Sequence, residues 1–525
     1  MRTVQNGDGN PIPPSDGKDS GELKRIMQRY KKAKGRWSSW TDLWEEMYDY
    51  VLPHRESFFQ ESAAARRTEN IYDETAVVGL PKFASRLQLG FFPPNGRAFK
   101  LAPGPEFPKQ AITKGLLQEL DRITDLFHEG LRNSNFNAEL HEGLQDLGLG
   151  TMNLLCEEGR FLGDLHFTAV PPTNLALLSG SMDRVSDWFR WNNEMELTEV
   201  KHRYPDAQFT DKMLQIQKRD PNRKTKIIEA TMYDEKDRFK DEYTNYLVSE
   251  TDNAILIKKT LKGRGSVPWI TTRWSKSGFE VWGRGPVLQA MPAIKTLNLT
   301  VQLILENAEM AIAGSYVYDD DGVFNPDNIT IQPGTFIPRS PGSSIDTLQS
   351  PSRFDVGQLI LDDMRRNVRK ALFIDELDTR PNARTPLSAT EVSERLADVS
   401  RDMGAVAGRM QKEFLQPLVE RIAKIYSDQG LIDIPKVDGR ELRIVPVSPL
   451  LRAQDQQDVS DFVRFQQTIA ATFGPEITPV LYNQENVVKY LAQKFGIMEE
   501  LLADQGQVEA NVQTMQQLMQ QGIQQ

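Results

Sequence analysis

Residues 286–373 restrict what this chain can become more than any other stretch. From Pro286 the texture turns helical, Pro292 stands where a first turn tolerates proline, and 292–313 is apolar on more than one side. Leu297, Val301, Leu305, Ala308 and Ile312 follow one stripe, whereas Leu299, Leu303 and Met310 lie off it. Such a helix packs against neighbours on two sides. Asn298, Gln302, Glu306, Asn307 and Glu309 interrupt it, so it does not read as a membrane span. Residues 314–350 are rich in Gly, Pro, Asp and Ser, with short strand candidates at Tyr316-Val317-Tyr318 and Thr335-Phe336-Ile337. Helix resumes from about Ser352 to Phe373. The pattern is a small β module inserted between two helices.

Helical periodicity also marks Glu22 to Tyr50, Glu74 to Gly90, Lys109 to Leu131 and Phe136 to Leu149. Trp37, Trp40, Trp44 and Tyr48 fall on one helical stripe, which predicts core packing. Between Lys24 and Arg36 stand seven basic residues and no acidic one. That run is either a solvated helix face or a contact for nucleic acid or an acidic partner. Thr151 to Cys156 reads as a strand, and residues 157–285 read as mixed, with strands near 225–233, 254–259 and 267–274. Ser388-Ala-Thr-Glu391 forms a capping box at the start of a helix running to about Asp428, with bends expected at Gly404, Gly408 and Pro417. Residues 1–20 read as a disordered leader, and the Gln-rich 504–525 as a polar helix or a tail.

The chain has 525 residues and a formal charge of −10, with −17 outside the Lys24–Arg36 run. An acidic balance argues against a general DNA-coating protein, which needs a broad basic face. Cys156 is the only cysteine, so an intrachain disulfide and a Cys-based zinc site are both excluded. With no apolar signal segment, the chain reads as soluble. Enzyme signatures are missing: Gly17-Lys18 is followed by Asp19 rather than a P-loop Ser or Thr, and no GxSxG elbow occurs. His54, His128, His141, His166 and His202 form no close ligand pair. Asp319-Asp320-Asp321-Gly322 lacks the later bidentate Glu of a calcium loop. Neither catalysis nor a cofactor is expected.

Four stretches carry a resemblance. They are Ala76-Val-Val-Gly-Leu-Pro-Lys-Phe-Ala-Ser-Arg-Leu-Gln-Leu-Gly-Phe-Phe-Pro93, Leu147-Gly-Leu-Gly-Thr-Met-Asn-Leu-Leu155, Gly278-Phe-Glu-Val-Trp-Gly-Arg-Gly-Pro286 and Arg384-Thr-Pro-Leu-Ser-Ala-Thr-Glu-Val392. In this order, the chain resembles the portal, or head-to-tail connector, proteins of short-tailed bacteriophages over about residues 20–450. The resemblance implies an α+β, mainly helical fold with wing, stem, clip and crown regions, closing into a ring of about twelve subunits at one capsid vertex. It implies a wing over 21–285, stem helices at 286–313 and 351–373, and a clip at 314–350. A tunnel loop would follow at 374–387, then a long wing helix and return at 388–449 and a crown at 450–525. The implied partners are double-stranded DNA passing non-specifically, a terminase motor, the major capsid protein or scaffold, and a tail adaptor. Location would be the virion, after assembly in the host cytoplasm.

Elementary geometry is compatible with that expectation. Twelve parallel helices at ~10 Å spacing lie on a circle ~38 Å across, leaving a bore of ~28 Å. A duplex ~20 Å wide passes with a water layer to spare. Arg365, Arg366, Arg369 and Lys370 fall within two turns of the second stem helix, and three share a face. They read either as channel-lining groups or as partners of Asp362, Asp363 and neighbouring subunits. In the loop, Asp375, Glu376 and Asp378 precede Arg380 and Arg384, which around a ring would form adjacent acidic and basic collars. A tail adaptor or internal ejection protein, lacking the helix–clip–helix insertion, is the competing class.

Overall fold

The computed structural model describes residues 20–55, 58, 68–93, 96–106, 113–180, 184–234, 242–313, 316–319, 336–339, 354–374, 404–433 and 442–447, with scattered positions from 459 to 491. The fold mixes helix and sheet. A central antiparallel sheet has the order β3-β2-β9, from Leu165–Ala169, Thr151–Glu158 and Trp269–Arg273. Helices α3 (Thr75–Phe91), α4 (Lys114–Asn133) and α5 (Phe136–Leu149) share its hydrophobic core. On α3 the buried positions Leu80, Phe83, Ala84 and Leu87 recur at helical spacing. Each such Leu or Phe contributes about 1.5–3 kcal/mol of burial. Strands β1 (Phe99–Pro103) and β12 (Leu442–Pro446) pair antiparallel, tying the C-terminal part back onto α4.

A second sheet is a five-stranded antiparallel meander: β4 (Leu175–Ser179), β5 (Val185–Glu196), β6 (Lys224–Tyr233), β7 (Glu242–Ser249) and β8 (Ala254–Lys262). Helices α6 (Leu197–Arg203) and α7 (Asp211–Arg219) cover one part of it. Helix α1 (Ser20–Ser38) lies across another through Ile26, Tyr30 and Ala33. Trp188 Nε1 donates to Thr271 Oγ1 at 2.8 Å and Trp269 Nε1 to Thr231 Oγ1 at 3.1 Å, joining the two sheets.

The single helix expected over Glu22 to Tyr50 is two, since α2 starts afresh at Thr41 and runs to Val51. Ser39 and Thr41 turn their hydroxyls onto the carbonyls of Arg36 and Ser38, which offers the backbone an alternative to continued helix. The break divides the aromatic stripe. Trp37 packs on Trp191 of the meander, whereas Trp44 and Tyr48 enter the central core, Trp44 against Trp282 at 4.7 Å.

After α8 (Pro286–Ala313), β10 (Tyr316–Asp319), β11 (Phe336–Arg339) and α9 (Phe354–Ala371), the long C-terminal helix is described from Gly404. It runs as α10 (Gly404–Arg409), a π turn at Met410–Leu415, and α11 (Gln416–Asp428). The irregularity has a local cause. Pro417 has no N–H to offer the Glu413 carbonyl, and the Thr272 hydroxyl donates there instead at 3.3 Å. Arg273 fixes the turn by donating from its backbone N and guanidinium to the Glu413 carboxylate. The capping box at 388–391 lies outside the described residues, as do residues 1–19.

Candidate channel-forming helix pair

Helix α8 is 28 residues, about 42 Å long, and α9 is 18 residues, about 27 Å. Proline at the first helical position opens α8, so Pro292 sits in its interior rather than in its first turn. Between the two helices β10 and β11 pair in parallel, Tyr316 opposite Phe336 and Asp319 opposite Arg339. The order helix, strand, strand, helix follows the pattern read from sequence.

Three of the four resemblance stretches meet where α8 begins. Gly285 N–H donates to the Leu149 carbonyl, and Gly283 N–H to Thr151 Oγ1 at 2.8 Å. The backbones approach so closely that a Cβ on Gly285 would stand 2.1 Å from the Gly148 carbonyl oxygen. A Cβ on Gly150, whose φ is +151°, would stand 2.2 Å from the Gly283 oxygen. Helix α3 closes the same point: a Cβ on Gly148 would be 2.4 Å from Leu80 Cδ1. Glycines spaced through separate stretches therefore form one seam at the root of α8.

Polar contacts then lock both helices to the segment leading into α3. Asn298 of α8 is buried; its Oδ1 accepts from Tyr72 N at 2.7 Å and Asp73 N at 3.2 Å, and its Nδ2 donates to Asn70 O at 2.8 Å. Arg365 of α9 donates from Nε to Asp73 Oδ2 at 2.9 Å, and the Asp73 side chain is 4% exposed. Arg365 thus has an intrachain partner that local sequence gave no sign of. Arg366, Arg369 and Lys370 are exposed, Arg366 and Lys370 on the opposite side from Val368 and Leu372 and Arg369 on the flank between, with Asp362 and Asp363 one turn before Arg366. Arg369 and Lys370 occupy the last turn, where cations complement the helix dipole.

Helix α9 ends in a Schellman motif. Ile374 N–H donates to Arg369 O and Phe373 N–H to Lys370 O, with Phe373 at φ +54°. Ile374 is buried against the Gly79 position of α3, which fixes the direction in which the chain leaves the helix. Asp375, Glu376, Asp378, Arg380 and Arg384 lie outside the described residues, as does the fourth resemblance stretch.

Among the described residues the far side of α8 is uncovered. Leu297 and Val301 are buried, but Leu299 and Leu303, one turn apart on the other side, are 54% and 49% exposed; Leu305, next on the Leu297–Val301 stripe, is 52% exposed, so that stripe is covered only as far as Val301. Among the described residues only one of the two expected packing sides is filled, over Leu297 and Val301. Among the described residues no group of His, Cys, Asp and Glu side chains is placed to hold a metal ion, and no helix is long and apolar enough to cross a membrane. Burial pushes the Cys156 thiol up to about 12.

A family profile described as bacteriophage head to tail connecting protein matches residues 23–502. The chain belongs to that family. This head-to-tail connecting protein is 23% identical to the probable portal protein of Bordetella phage BPP-1, with 93% of this chain and 90% of that one covered. It is 21% identical, at the same coverage, to the portal protein of Salmonella phage epsilon15. Among solved structures, a chain in the virion of a native gene transfer agent particle matches at TM-score 0.36 and 11% identity, covering 85% of this chain and 98% of that one.

Proposed function

We propose that this chain is a portal subunit, one of about twelve in a closed ring at a capsid vertex, through which the genome is packaged and ejected. The role is structural rather than enzymatic. Family membership supports it, and so do the portal proteins matched over nine-tenths of their length. The single observation that carries it is the two-sided helix α8, whose outer Leu299 and Leu303 await a neighbour. In this reading α8 and α9 are the stem, 314–350 the clip that meets the terminase motor and later the tail adaptor, and residues 21–285 with 388–449 the wing. Residues 374–387 form the tunnel loop, and 450–525 the crown inside the capsid, where the major capsid protein or scaffold surrounds the ring. Arg366, Arg369 and Lys370 supply basic positions along the stem, separate from the Arg365–Asp73 pair.

The double variant Leu299→Gln/Leu303→Gln tests the assignment. It replaces exposed side chains, so the subunit keeps its secondary structure and its thermal transition. Light scattering of the purified variant should show subunits or small oligomers where the parent chain gives rings. Rings of unchanged mass would sink the proposed stem contact.

A further inference from the structure

The basic run of α1 is left unexplained by the portal reading. Its buried side accounts for Ile26, Tyr30, Ala33 and Trp37, which pack on the meander. Arg29 is also accounted for: Nε and a terminal nitrogen each donate at 2.7 Å to the buried Asp187 carboxylate. Glu22, the only acid of the helix, is engaged by Tyr246 at 2.6 Å and Lys258 at 2.8 Å. Six basic residues remain exposed: Lys24, Arg25, Lys31, Lys32, Lys34 and Arg36. Lys34 leans over the Trp191 ring at 5.1 Å, and Arg36 touches Ser179 Oγ.

The others are ordered by the helix. Lys24 and Lys31 stand seven residues apart along one flank, and Arg25, Lys32 and Arg36 along the other, at i, i+7 and i+11. Seven residues rise about 10.5 Å, so each flank repeats a positive charge after two helical turns. The ridge between the flanks is open, since a Cβ on Gly21 or Gly35 would meet nothing within 4 Å. Arg184, also exposed, extends the patch from the hairpin that carries Ser179.

We propose that this outward face of α1 is a DNA-contact surface that holds the phosphate backbone of duplex DNA without reading its sequence. The choice of nucleic acid over an acidic protein follows from the composition of the face. It offers Lys, Arg, Gln28 and glycine and no apolar or aromatic anchor, whereas protein interfaces have an apolar core depleted in lysine. A single basic helix on an acidic chain gives local contact rather than a coat. The inference does not depend on ring formation.

The test measures binding of the full-length protein to two labelled duplexes of about 30 base pairs with unrelated sequences, over a series of salt concentrations. The parent chain should bind both equally, with affinity falling steeply as salt rises. Lys24→Gln/Arg25→Gln/Lys31→Gln/Lys32→Gln should lower the log–log salt slope by about 3 to 4 and weaken binding more than about tenfold at low salt. A control that neutralises Lys201, Lys212, Lys218 and Arg219, exposed on and beside α6 and α7, removes the same charge and should retain the parent slope. Lys24→Arg/Lys31→Arg/Lys32→Arg should also bind as the parent does. The inference is overturned by a parent chain that binds neither duplex, by equal losses in the α1 and control variants, or by an unchanged α1 variant. It also falls if polyglutamate binds the face and DNA does not.

Discussion

Replacing Gly285 by alanine perturbs the root of α8 where nothing flexible is available to yield. The added Cβ would lie 2.1 Å from Gly148 O and 2.5 Å from Leu149 C, both backbone atoms. Relief requires the two strands of chain to part by about 1 Å, because carbon and oxygen rarely approach within about 3.2 Å. That movement strains or breaks the Gly285 N–H to Leu149 O bond, and it disturbs the Arg284 N–H to Ser275 O bond beside it. Overpacking costs about 1–3 kcal/mol and an unmet buried backbone group about 1–3 kcal/mol more, so Gly285→Ala should destabilise the chain by about 2–6 kcal/mol. Gly278, seven residues earlier, is the internal control. A Cβ there meets nothing within 4 Å, so Gly278→Ala should be neutral or stabilising by up to about 1 kcal/mol through the unfolded chain. Urea denaturation followed by tryptophan fluorescence reads both. Equal midpoints for the two variants would refute the idea that the glycine seam sets how α8 joins the body.

Three further outcomes follow from the same contacts. Asn298→Ala removes the acceptor of two backbone N–H groups and should cost about 2–3 kcal/mol, with faster amide exchange at Tyr72 and Asp73. His128 is held neutral, its Nδ1–H donating to Thr124 O and its Nε2 accepting from Ala98 N–H, and burial keeps its pKa below the ordinary histidine value. The unfolded chain therefore takes up that proton first, and stability is lost as pH falls through about 6.5 towards the lower folded value. His128→Gln should flatten the decline in denaturation midpoint between about pH 7.5 and 5 relative to the parent. In the proposed tunnel loop, Asp375→Ala or Arg384→Ala should alter DNA packaging or retention with ring assembly unchanged, measured by the DNA content of assembled heads.

Much of the fold is legible in local pattern. Helix α5 spans Phe136–Leu149 as its periodicity dictates, and the strands of the β module fall where Tyr316 and Phe336 signal them. What escapes is long-range. Asn298 reads as an interruption of an apolar helix, yet it is buried because the chain some 226 residues earlier supplies its partners. A polar residue between Leu297 and Val301 on a buried side is the one signal that marks it. The Arg365 partner, Asp73, has no such trace, since i, i+3 and i, i+4 spacing points only to Asp362 and Asp363. The break between α1 and α2 was hidden by an aromatic spacing that suits one helix, although the two halves pack on different sheets. Glycines at 148, 150, 283 and 285 look like ordinary turn residues until the seam brings their backbones together.

Images of the purified, full-length protein by negative stain, with mass from native mass spectrometry, test the central claim most directly. The portal reading predicts a closed ring of about twelve copies with a central hole wide enough for a duplex ~20 Å across. A population of monomers, or a closed particle without a hole, would contradict it.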